Sequence, residues 1–94
     1  MAIKQYSFTG NAQSSGDLKA KDSELIAISV DFTTGSGTGT VDLERKIAGG
    51  AWIVLEQYTA DTSKNIEAVS RQCAYRCTTS AHSAGTIEMF MATP

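Results

Sequence analysis

Apolar and polar residues alternate with a period of two along much of this chain. Between Leu25 and Phe32, Ile26, Ile28, Val30 and Phe32 point one way, while Ala27, Ser29 and Asp31 point the other. Val41, Leu43 and Ile47 alternate with Asp42, Glu44 and Lys46, with Arg45 interrupting the apolar side. Ile87, Met89 and Met91 alternate with Thr86, Glu88 and Phe90, and Ala51 to Thr59 is a β-prone run carrying Trp52, Val54 and Tyr58. Half-buried antiparallel strands produce this pattern, and β-branched and aromatic residues concentrate in it. No segment carries a helical stripe.

Turn chemistry separates the runs. Ala48-Gly49-Gly50-Ala51 reads as a tight hairpin, its paired glycines accepting positive φ. Thr33 to Gly39 reads as a flexible connection, Ala60 to Ser63 as a turn, and Ser80 to Gly85 as the link into a last strand. The predicted strands are 3–9, 24–33, 39–47, 51–60, 64–69, 73–79 and 85–92. Strands at this spacing predict an all-β fold: a single antiparallel β-sandwich of about seven strands, immunoglobulin-like or jelly-roll-like in connection order. Residues 1–9 are an N-terminal arm or edge strand. Residues 10–23 form a long polar loop, with a short strand possible near 18–21; the loop is either a solvated surface or a contact element.

Length and charge narrow the function. Ninety-four residues make one domain, 1–94. Eight basic and ten acidic side chains leave a net charge of −2, without the basic stripe a nucleic-acid binder needs or a polybasic membrane anchor. No apolar run approaches a membrane span, and the start lacks a signal-peptide core. The expectation is a protein made and kept in a cytoplasm, or assembled there into something larger.

Chemistry-bearing residues are few. Cys73 and Cys77 fall on one side of a strand, roughly 13 Å apart, too far for a disulfide. With His82 as the sole histidine, four zinc ligands are lacking. Both thiols read as small buried hydrophobes. His82 reads as a solvated turn residue without triad partners. Asp42, Glu44 and Glu88 fall on solvent faces, and the glycine run lacks the Lys-Ser/Thr of a phosphate loop. No catalytic residue, metal site or cofactor is expected. Trp52 reads as a core anchor, with an exposed contact or sugar platform as the alternative. Arg45 and Arg76 beside apolar faces read as an intrachain ion pair or as a contact between subunits.

From Gly39 onward, Gly39-Thr40-Val41-Asp42-Leu43-Glu44-Arg45 leads to Gly49-Gly50-Ala51-Trp52, then Tyr75-Arg76-Cys77 and Ser83-Ala84-Gly85-Thr86-Ile87. This resembles small β-sandwich structural proteins of tailed bacteriophages. In those, a G-T-V-x-L-x-R strand, a G-G-x-W hairpin, a Y-R strand and a final S-G-T-[VI] strand recur. Here Ala84 splits the last pattern, and Ser63 to Gln72 stands where an acid- and glycine-rich segment is expected.

The resemblance implies a non-enzymatic virion protein made in the host bacterial cytoplasm. Its first reading is a capsid decoration, or cement, protein that binds the major capsid protein and copies of itself, as a homotrimer. A neck, tail or fibre component and a host-surface glycan-binding module are the alternatives. The candidate interface comprises Tyr6 and Phe8 of the N-terminal segment, Leu18 and Lys19 of the polar loop, and Arg45 and Arg76. Sheet edges are defended by charge, proline or cover, and the one proline is Pro94. Neighbouring subunits are therefore expected to cover the edges.

Overall fold

The structure, a computed structural model, describes residues 2–21, 23–69 and 73–94. Among them are eight strands and no helix: β1 (Ile3–Phe8), β2 (Leu18–Ala20), β3 (Leu25–Asp31), β4 (Thr38–Ile47), β5 (Ile53–Tyr58), β6 (Thr62–Glu67), β7 (Cys73–Ala84) and β8 (Ile87–Ala92). They form two four-stranded antiparallel sheets. The front sheet has the order β1-β8-β3-β6 and the back sheet β2-β7-β4-β5.

The pairing is nested. β1 pairs with β8, β2 with β7, β3 with β6 and β4 with β5, and β3–β8 and β4–β7 close each sheet. This is a jelly-roll order; the immunoglobulin-like alternative does not form. The eighth strand is β2, the short piece inside the polar loop.

The core lies between the sheets and follows the alternation. Phe8, Ile26, Ile28, Val30, Met89 and Met91 face in from the front sheet, and Leu18, Val41, Leu43, Tyr75 and Cys77 from the back, all essentially inaccessible. Each large apolar side chain buried in this way contributes about 1.5–3 kcal/mol of transfer free energy.

Four connections differ from expectation. The polar loop is laid along β7. Ser15 N–H donates to the Cys77 carbonyl (2.9 Å) and Cys77 N–H to Ser15 Oγ (3.0 Å). Ala12 N–H donates to the Thr79 carbonyl (3.0 Å), and Thr79 Oγ1 to the Gly10 carbonyl (2.8 Å). The loop's backbone, helped by Ser15 Oγ, thus satisfies polar groups along the edge of β7.

The connection 33–39 is packed rather than flexible. Ser36 bridges Thr86, and Thr86 N–H donates to the Gly35 carbonyl (3.1 Å). A Cβ on Gly37 would sit 2.5 Å from the Thr86 carbonyl oxygen, and one on Gly85, where φ is +69°, would sit 2.2 Å from that of Ser36. Only glycine lets these backbones approach. The strand β7 also continues through Ser80–Ala84, where a turn was expected, so His82 lies in a strand. In the β4–β5 hairpin the positive φ falls on Ala48 (+52°), not on Gly49 or Gly50.

Candidate interaction faces

Register and burial assign every strand residue to the inside or to one of two outer faces. Residues directly opposite on paired strands share a face. On the front sheet this gives outward rows across the strands: Ile3, Ala92, Ala27 and Asn65; then Gln5, Phe90, Ser29 and Ser63; then Ser7, Glu88 and Asp31. Leu25 and Glu67 complete the face at one corner. Ser7 Oγ donates to Glu88 Oε2 at 2.7 Å, which ties one row together. Ala27, Ala92, Ser7, Ser29 and Ser63 on this face are small, and Ile3 (52% exposed), Leu25 (50%) and Phe90 (44%) are its exposed large apolar side chains. Among the described residues this face carries Asp31, Glu67 and Glu88 and no basic side chain.

The outer face of the back sheet is different. Lys19, Ala74 and Lys46 lie in one row, Arg76, Glu44 and Val54 in the next, and Thr78, Asp42 and Gln57 in the third. Arg76 Nε donates to Glu44 Oε1 at 2.6 Å. The Arg76 guanidinium carbon lies 4.2 Å from the centre of the Trp52 ring, and Lys46 Nζ lies 5.2 Å from it. The largely buried Asp42 carboxylate accepts from Gln57 Nε2 (3.0 Å) and Ser80 Oγ (3.2 Å). Trp52 is therefore a half-buried residue of this outer face, held by cations, and not the core anchor expected of it.

The six candidate interface residues divide. Phe8 and Leu18 are core residues, 0% and 1% exposed, which corrects their reading as contacts. Residues 1–9 are likewise an edge strand packed on β8 rather than a free arm, so far as they are described. Tyr6 is half-buried against the same core, its ring 4.9 Å from that of Phe8. Arg45 stands opposite Tyr75 on β7, on the inward side. Lys19 and Arg76 share the outer face of the back sheet with Trp52. The residues overlooked are Phe90 and Ile3; an aromatic on the polar side of the Ile87–Met91 alternation was the available signal.

The titratable clusters serve structural contacts. Glu56 accepts from Lys64 Nζ (2.7 and 2.8 Å) and from the Tyr58 hydroxyl (2.6 Å), linking β5 to β6 across the open side of the sandwich. The Lys64 hydrogen bonds, then that of Tyr58, hold the Glu56 carboxyl below its ordinary range, while burial and the Glu56 bond push the Tyr58 phenol up.

Asp61 accepts from the amides of Phe32 (2.7 Å) and Thr33 (3.1 Å) and from the Thr33 hydroxyl (2.7 Å), and the hydroxyl bond leads in lowering its pKa. Burial, with smaller contributions from Glu44 and Asp42, pushes the Cys77 thiol up to about 12, far from the thiolate a nucleophile or soft metal ligand requires. His82 Nε2 donates to the Gly85 carbonyl (2.8 Å) and steadies the last turn. Among the described residues no three His, Cys, Asp or Glu side chains converge as a metal site. The hollows near Asp61, between 32–38 and 59–61, are shallow and open.

No family model and no curated protein matches the sequence. Among solved structures, the chain is similar to the crystal structure of Yersinia pseudotuberculosis-derived mitogen, with a TM-score of 0.61 and 12% identity, covering 99% of this chain and 86% of that one. At that identity the likeness supports the β-sandwich fold alone.

Proposed function

We propose that this domain is a non-enzymatic structural subunit that acts through its flat outer faces. From the motif resemblance, we propose that it is a component of a tailed-phage virion that decorates the outside of the head and cements the shell. The observation that carries the reading is the front face: Phe90, Ile3 and Leu25 exposed among Ala and Ser side chains, with no basic residue among those described. Exposed apolar side chains gathered on one sheet face make it a candidate contact surface. Contacts made only in the assembled state stabilise that state by mass action.

The test compares particles with and without the protein under heating and dilution. Greater survival of decorated heads supports the cementing role; equal survival rules it out. Copy number separates the neck, tail or fibre alternative, because a shell protein accumulates with the capsid subunits and a connector does so at one ring per particle.

A second reading rests on Trp52. Trp52 is half-buried on the outer face beside Arg76 and Lys46, and jelly rolls include lectin domains. Glycan binding that disappears in Trp52→Ala, with the fold retained, would favour that reading over the first.

A further inference from the structure

The two outer faces of this sandwich complement each other. The front face presents Phe90 and Ile3 with Asp31, Glu67 and Glu88. The back face presents Trp52 and Val54 with Lys19, Lys46 and Arg76. Its two acidic residues do not cancel these cations: Glu44 is paired with Arg76, and the one remaining carboxylate, the largely buried Asp42, stands against both Lys19 and Lys46. The charge left to meet a partner is thus negative in front and positive behind. We propose that the front face of one copy docks on the back face of the next, with Phe90 against the Trp52 side and the front carboxylates toward Lys19 and Lys46.

Size and sign both favour a second copy as the occupant. The molecule measures 36 × 25 × 17 Å. A face spanning its two longer dimensions offers about 800–900 Å², what each partner contributes to a standard-size complex. Front-to-front pairing would set three carboxylates against three, and back-to-back pairing would set lysine against lysine; like charges brought together oppose association. Unlike these, the front-to-back contact joins two different surfaces, and it is therefore heterologous. Because those surfaces lie on opposite sides of one thin slab, repetition runs along one direction. It builds an open stack in place of the closed trimer that the resemblance implies.

This inference rests on the reading of the domain as a contact-forming subunit, and two blocked variants test it. Phe90→Lys blocks the front face, with Ser29→Arg as a second front variant should the first fail to fold by circular dichroism. Lys19→Glu combined with Lys46→Glu blocks the back face. In sedimentation velocity at concentrations up to about 1 mM, the unaltered chain should form a concentration-dependent series that shrinks as salt screens the charges. Each blocked variant alone should be monomeric. Mixed in equal amounts they should form a one-to-one dimer, since each keeps the face the other has lost.

A monomer at every concentration, a discrete closed trimer, or loss of association in the front variants alone would overturn the proposal. Absent stacking with heads still protected would sink this inference and leave the cementing role standing. Stacking without head protection would do the reverse.

Discussion

The Arg76 guanidinium lies 4.2 Å from the centre of the Trp52 ring while its Nε holds Glu44 at 2.6 Å. One planar cation thereby ties β4 and the β4–β5 hairpin to β7. A lysine cannot reproduce both contacts, because the stack and the directed N–H both need the planar group. Arg76→Lys should cost about 0.5–1 kcal/mol, and Arg76→Ala about 1–2 kcal/mol. As Trp52 is the single tryptophan, urea denaturation followed by its emission reads stability and local environment together. Unchanged midpoints in both variants would show that the stack contributes nothing.

Gly37→Ala should destabilise the domain by about 2–4 kcal/mol. The added methyl would meet the Thr86 carbonyl oxygen at 2.5 Å and Ile87 Cγ1 at 2.6 Å, and neither neighbour has room to withdraw. Gly49 has open space around it, so Gly49→Ala should stay within about 0.5 kcal/mol of the parent. Melting temperature separates the two, since 1 kcal/mol shifts a domain of this size by about 4–8 °C. Equal melting points would mean that the 33–39 segment is as loose as its composition suggests.

Acid should weaken the fold through Asp31, Glu56 and Asp61, whose folded-state pKa values lie below the ordinary 3.8 of aspartate and 4.5 of glutamate. Each is depressed on folding, so its contribution is present above those ordinary values and is lost as pH falls through the folded ones. Asp61→Asn keeps an acceptor for the Phe32 and Thr33 amides and removes the titration. Urea midpoints measured from pH 7 to pH 2 should therefore fall less steeply in Asp61→Asn than in the parent. Parallel curves would remove Asp61 from the account.

Cys73 and Cys77 should resist thiol reagents in the native state, both being buried and the Cys77 thiol pushed up to about 12. Labelling at pH 8 should proceed at the rate of unfolding and modify both cysteines together. The same shift makes an alkaline prediction. The unfolded thiol ionises near its ordinary 9.0 while the folded one does not, so the stability it lends is present below that value and is lost as pH climbs toward 12. Rapid labelling of one cysteine in the folded protein would contradict the burial.

Period-two alternation made the strands legible because each sheet buries only one side. For β3 it gave the correct inward set, Ile26, Ile28 and Val30. In β1 the candidate contact Phe8 proves to be core, because a terminal strand looks unpartnered until its distant mate is known. That mate is β8, more than eighty residues on, and no local pattern encodes it.

Composition makes residues 10–23 a long polar loop, solvated or in contact, and 33–39 a flexible connection. Their order comes instead from hydrogen bonds to β7 and from close approach to Thr86. Lys19 and Arg76, two of the candidate interface residues, lie on the outer face of the back sheet. Phe90 is harder to read from sequence, because an exposed aromatic on an alternating strand looks like ordinary scatter until the register places it between Gln5 and Ser29 on an outer face.

The nesting of β1 with β8 has a temporal meaning. The strand that holds β1 in the front sheet, β8, follows the other seven described strands in the chain, so during synthesis they must wait for it with their greasy sides uncovered. Closing a loop of that span makes acquisition of structure slow and leaves nascent chains prone to stick to one another. Shortening the chain by β8 would therefore leave no smaller sandwich behind, only a strand without a neighbour and a sheet split in two.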